Sequence, residues 1–132
     1  MTTAVPAKVL LVDDDPDFQG VLATKFRASS FEVYTANDGE IGIEMAKEKK
    51  PNLIMMDVKM PKMDGLAALI RLKEDPATKD IKVVLLTAFG DPQPEIYGND
   101  KRFAGELGAF EYFLKTQDID DIVERAKTLL EK

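Results

Sequence analysis

Residues 51–66 read PNLIMMDVKMPKMDGL. The apolar run from Leu53 to Met56 is too short for a helix and lacks polar alternation, as expected of a strand buried on both faces of a parallel sheet. It stops at Asp57. Pro61, Asp64 and Gly65 then supply turn residues, and helical spacing begins at about Gly65 with Leu66, Leu69, Ile70 and Leu72, stopping near Asp75-Pro76. A buried strand, an acid at its carboxyl end and a helix behind a loop make up half of a βαβ unit.

The same grammar extends in both directions. Val9 to Val12 and Val83 to Leu86 are two more short apolar runs, while Phe31 to Ala36 (FEVYTA) and Ala109 to Leu114 (AFEYFL) are weaker strands rich in β-formers. Asp15-Pro16 predicts an N-cap and first helical position ahead of Phe18, Val21, Leu22, Lys25 and Phe26. Asn37 with Glu40 resembles a capping box before Ile41, Ile43 and Met45, the helix ending near Lys50-Pro51. Asp118 opens the last helix, with Ile119, Ile122, Val123, Ala126 and Leu130 on one face. Strands alternate with helices, with a fourth helix or loop before the fifth strand. This predicts an α/β fold, a doubly wound parallel sheet of five strands with helices on both faces. We expect the order 2-1-3-4-5, by analogy with the flavodoxin-like doubly wound sheets that share it.

The chain has 132 residues, 45% hydrophobic and 32% charged, which suits one packed core. Residues 1–7 are expected to form a disordered tail, 8–132 the domain, with no output domain among them. No apolar run approaches a membrane span and the first residues lack the pattern of a signal peptide, so a cytoplasmic location is expected. Cysteine and histidine are absent. That excludes disulfides, thiolate zinc sites and histidine triads, leaving carboxylates to carry any chemistry. The net charge of −6 disfavours direct nucleic-acid binding.

In open α/β sheets, ligands collect at the carboxyl ends of the strands where the strand order reverses. Asp13 and Asp14 leave the first strand, Asp57 ends the third, Thr87 the fourth and Lys115 the fifth. Converging carboxylates raise one another's pKa or require a cation. An all-oxygen set selects a hard ion, and Mg²⁺ takes one or two protein carboxylates and keeps positions for water and phosphate oxygens. Such a rim suits phosphoryl transfer onto one of the carboxylates, with Lys115 neutralising phosphoryl charge. An EF-hand reading of Asp13, Asp15 and Asp17 fails, because the positions needing Gly and Glu hold Phe18 and Thr24. Asp15 is explained by capping alone.

The strings VDDD (12–15), MMDVKMPKMDG (55–65), LLTAF (85–89) and GAFEYFLK (108–115) together resemble the receiver domains of bacterial two-component response regulators. The resemblance implies that Asp57 is the phosphoacceptor, Asp14 a direct Mg²⁺ ligand, Asp13 a ligand acting mainly through metal-bound water, and the Lys59 carbonyl a third protein ligand. Lys115 would pair with the phosphoryl group. Thr87 would be the switch hydroxyl and Tyr112 the aromatic that turns inward behind it, remodelling the face of the fourth helix, fifth strand and last helix. Phe89 and Lys59 would flank the acceptor and control access of water. The implied partners are a sensor histidine kinase or histidine phosphotransfer protein, and a downstream effector protein. The chain is then a phosphoprotein switch with self-phosphorylation and slow self-dephosphorylation, not a turnover enzyme.

Two departures stand out. The family places proline after the last lysine; here Thr116 follows Lys115. A non-proline cis bond costs about 2.5–4 kcal/mol, so trans is expected. The segment Gly90 to Lys101 lengthens the connection to the fifth strand and is expected to be a loop or a shortened fourth helix. Both departures leave a degenerate, phosphorylation-independent binding module as the alternative. A hydrolase using an aspartyl phosphate would want a DxD nucleophile and a substrate cap, and Asp15 is already a helix cap.

Overall fold

A computed structural model describes residues 5–87 and 108–131. The elements are β1 (Lys8–Val12), α1 (Pro16–Ala28), β2 (Glu32–Ala36), α2 (Gly39–Lys49), β3 (Leu53–Asp57), α3 (Gly65–Glu74), β4 (Lys82–Thr87), β5 (Glu111–Leu114) and α4 (Ile119–Leu130). The expected fourth helix or loop at Gly90 to Lys101, together with Phe89, lies outside the described residues. Residues 5–7 carry no regular structure, and the Ala7 carbonyl accepts from the Glu32 N–H.

All strand pairs are parallel and the sheet runs β2-β1-β3-β4-β5, the expected order. Alternation along each strand sorts the core into two layers. Leu10, Val12, Ile54, Met56, Val83 and Leu85 face α2 and α3, where they meet Ile43, Ala46, Leu69 and Leu72. Val9, Leu11, Leu53, Met55, Val84 and Leu86 face α1 and α4, where they meet Leu22, Phe26, Ile122 and Val123. Every residue of β3 is buried, whereas β2, at the sheet edge, buries only Ala36. The apolar runs are continuous because both faces are covered.

Asp15 and Asp118 cap the helices they were expected to open, and Asp64, read only as a turn residue, caps α3; each accepts a backbone N–H of the first turn. The cap of α2 is Asp38 and not Asn37, its carboxylate accepting from the Ile41 N–H at 2.8 Å. The buried stripes also differ from the simplest reading of the spacing. Val21 and Ile41 are exposed, and the stripe of α4 closes on Leu129 while Leu130 is only partly buried. On α1 the buried residues are Gln19, Leu22, Ala23 and Phe26, so a glutamine takes part in the stripe.

Gly65 brings α3 tight against the end of β3. A Cβ there would lie 2.3 Å from the Asp57 carbonyl oxygen and 2.9 Å from the Val58 Cα, and the Gly65 N–H donates to the Val58 carbonyl at 2.7 Å. Backbone cannot yield as a side-chain tip can, so Gly65→Ala should destabilise the protein by about 1–3 kcal/mol. Gly20, in the middle of α1, has nothing within 4 Å of the corresponding position. Gly20→Ala should therefore stabilise by about 0.5–1 kcal/mol. Urea unfolding of both variants checks the pair; a Gly65→Ala variant as stable as wild type, or a Gly20→Ala variant less stable than it, would contradict the packing described.

Candidate functional site

β1 and β3 are neighbours, and their carboxyl ends place Asp13, Asp14 and Asp57 together. One carboxylate oxygen from each lies within 4.8 Å of the others, close enough to share a metal ion. Asp13 and Asp57 are buried, Asp14 exposed. Asp13 is held on nearly every side. Its N–H donates to the Ala36 carbonyl at 3.1 Å, its Oδ1 accepts from the Asp15 N–H at 2.8 Å, and its carbonyl accepts from Gln19 Nε2 at 3.3 Å.

Lys115 follows β5 directly. Its N–H donates to the Thr87 carbonyl at 2.7 Å, continuing the β4–β5 ladder by one step. The next turn is closed by two bonds, the Leu114 N–H to Gln117 Oε1 at 2.9 Å and the Gln117 N–H to the Leu114 carbonyl at 3.1 Å. No cis peptide bond occurs among the described residues, so Lys115-Thr116 is trans, as expected. The Lys115 ammonium reaches Asp13 Oδ2 at 2.8 Å and Asp57 Oδ2 at 3.3 Å. Asp13 Oδ2 is buried and, among the described residues, has no well-aligned hydrogen-bond donor, so its contact with Lys115 is chiefly one of charge.

Of the residues singled out in the sequence, Asp13, Asp14, Asp57 and Lys115 therefore meet at one point. Thr87 is buried at the end of β4, one residue beyond the register partner of Asp57, which is Leu86. Lys59 is exposed on the loop after β3. Tyr112 pairs in register with Leu85 and is half-buried against the core layer under α2 and α3. Two residues of the site were not read as such. Gln19 is buried and its Nε2 lies within hydrogen-bond distance of the Leu11, Asp13 and Ala36 carbonyls, pinning the ends of β1 and β2. A polar residue on the 19-22-23-26 stripe was the available signal. Phe18 lies under the Lys115 ammonium, 4.8 Å from ring centroid to Nζ.

The electrostatics follow from crowding. Burial first, then the Asp13 charge, pushes the Asp57 carboxyl up to about 7; the Lys115 ammonium pulls it down and Asp14 adds to the push. Burial works to lower the Lys115 pKa, but its close contacts with the Asp13 and Asp57 carboxylates together outweigh it and the net shift is upward. The rim thus carries more negative charge than its lysine balances. An additional cation is the compensation that this donor set favours, and the unbonded Asp13 Oδ2 is an acceptor available to it.

A doubly wound sheet with acids and a lysine on its carboxyl rim defines a class, and the sequence comparisons agree. Residues 9–127 match the response regulator receiver domain family, and the chain belongs to it. Receivers of this family are signalling switches of two-component systems. Over 125 residues the chain is 34% identical to the DNA-binding dual master transcriptional regulator RpaA of Synechocystis, covering 95% of this chain and 49% of that protein. It is 39% identical over 118 residues to the response regulator PleD of Caulobacter vibrioides, covering 89% of this chain and 24% of PleD. The chain thus spans about half or less of the length of these relatives. The receiver domain of Francisella response regulator 1452 superposes with a TM-score of 0.81 at 25% identity, covering 95% of this chain and 97% of that one. Among the described residues, no helix is long and apolar enough to cross a membrane.

A carboxyl raised from its ordinary 3.8 to about 7 means that the folded state holds a proton the unfolded state has released. Its contribution is fully present below about pH 4 and is lost as pH rises through about 7. In chelating buffer, Asp57→Asn should therefore be more stable than wild type at pH 8, by on the order of a few kcal/mol, with the difference shrinking toward pH 4. Denaturant midpoints across that range decide the matter, and a wild type equal to the variant at pH 8 would count against the crowding.

Proposed function

We propose that this receiver accepts a phosphoryl group on Asp57 from the phosphohistidine of a sensor histidine kinase or a histidine phosphotransfer protein, with Mg²⁺ as cofactor. The observation that carries the reading is the buried Asp57 carboxylate, 3.3 Å from the Lys115 ammonium and beside a buried Asp13 oxygen that lacks a hydrogen bond. The residues fit the ion: Asp14, Asp57 and the Lys59 carbonyl are its direct ligands in this reading, and Asp13 acts mainly through metal-bound water. Bound there, Mg²⁺ supplies the positive charge that offsets crowded carboxylates and incoming phosphoryl oxygens.

The chain's own residues do the rest. An Asp57 oxygen attacks phosphorus, the P–N bond of the donor breaks with its electron pair left on the imidazole, and an acyl phosphate forms on Asp57. The Lys115 ammonium, already against Asp57 Oδ2, transfers that contact to a phosphoryl oxygen. Thr87 turns its hydroxyl toward another phosphoryl oxygen, and Tyr112 moves into the space released. The face of the expected fourth helix, β5 and the last helix then changes shape and is read by a downstream effector protein. Reversal is slow hydrolysis by water, so the protein is a switch and not a turnover enzyme. We place this switch in the cytoplasm, without direct contact to nucleic acid or membrane. A phosphorylation-independent binding module would not need Asp13, Asp14, Asp57 and Lys115 to converge, and they do.

Incubation with acetyl phosphate tests the proposal. Intact-protein mass spectrometry should show one phosphoryl adduct with Mg²⁺, none in chelator, and none for Asp57→Asn; a wild type that never acquires the adduct would end the reading. Thr87→Ala should still be labelled, yet beryllium fluoride should no longer shift the NMR signals of Tyr112, and undiminished shifts would remove Thr87 from the switch.

A further inference from the structure

Among the described residues, the ammonium of Lys115 has three neighbours: Asp13 Oδ2 at 2.8 Å, Asp57 Oδ2 at 3.3 Å, and the face of Phe18 at 4.8 Å from the ring centroid. The first two are carboxylates that the proposed chemistry also engages. Asp57 takes the phosphoryl group, and Asp13 faces the cation. Of the three contacts, the ring is the one for which neither newcomer competes. The Lys115 side chain is a flexible four-carbon stem, only 14% exposed, so an invariant contact limits where its charge can swing.

Phe18 is well placed for this. Asp15 caps α1, accepting from the Asp17 N–H at 3.0 Å and the Phe18 N–H at 3.3 Å, and Pro16 fixes the first helical position. Gln19, the next residue, ties the same turn to the ends of β1 and β2 through the Leu11, Asp13 and Ala36 carbonyls. The ring therefore stands on the same rigid frame as Asp13. Its π-face attracts a cation, and more strongly where water is largely shut out.

We propose that Phe18 is a positioning residue that holds the Lys115 ammonium over its ring face while the phosphoryl group is transferred to Asp57. This rests on the function proposed above and names a residue that the motif did not point to. Acting through Lys115, Phe18 touches neither the donor nor the acceptor oxygen.

The test is a double-mutant cycle on labelling by acetyl phosphate at saturating Mg²⁺. Phe18→Leu keeps an apolar side chain and removes the ring. It should slow labelling by roughly three- to tenfold in the wild-type background and have no further effect in Lys115→Gln. Should Phe18→Leu fold poorly, phenylalanines fluorinated progressively at position 18 keep the size nearly constant while draining the ring's negative face. The rate should then fall with each added fluorine while the denaturant midpoint stays level. Equal slowing in both lysine backgrounds, or rates indifferent to fluorination, would show a purely packing role and overturn the proposal. A labelled wild type with an equally fast Phe18→Leu overturns this inference alone. A wild type that is never labelled overturns the function and the inference together.

Discussion

Three carboxylates meet at the carboxyl end of the sheet, and the two buried ones, Asp13 and Asp57, press against the Lys115 ammonium. Like charges in a site poor in water are costly, and the raised Asp57 carboxyl is the visible form of that cost. The lysine offsets part of it. What remains is an attraction for positive charge and a carboxylate held close to neutrality's edge at physiological pH. A cation at the rim, as in the proposed function, would answer that attraction and return the Asp57 carboxyl to its charged form.

The fold serves this crowding by making it rigid. β1 and β3 are adjacent and fully packed between two helical layers, so the ends that carry Asp13 and Asp57 cannot move apart without opening the core. Gly65 lets α3 close directly on the Asp57 carbonyl, while Gln19 and Asp15 fix the backbone and one carboxylate oxygen of Asp13. Lys115 arrives from the other side of the sheet, its N–H continuing the β4–β5 ladder at Thr87. The strain of placing acids together is therefore borne by packing, which is cooperative, and not by the few polar contacts at the rim.

Lys115 also shows how one position tolerates a departure from the family pattern. With Thr116 following in a trans peptide, the amine still reaches both carboxylates. The turn behind it is closed by Gln117, which bonds Leu114 in both directions. Orientation of the amine is thus distributed over a turn, two acids and an aromatic face.

Much of this was legible in the chain itself. Short apolar runs at Val9, Leu53 and Val83 declare buried strands because both faces must be covered, and the polar residue ending each run marks the rim where the chain leaves the core. Asp13, Asp57 and Thr87 follow from that rule with no knowledge of contacts, and Lys115 follows when it is extended to the weaker strand from Ala109 to Leu114. Tertiary structure alone decided the rest. Helical spacing permits several stripes, and packing chose Gln19 over Val21, Asp38 over Asn37 as the cap, and Leu129 over Leu130. Which side of a helix meets the sheet depends on neighbours distant in sequence, as does the ring of Phe18 meeting Lys115 at a separation of 115 − 18 = 97 positions. A one-dimensional pattern records that a residue is apolar; only the packed chain determines which atoms it touches.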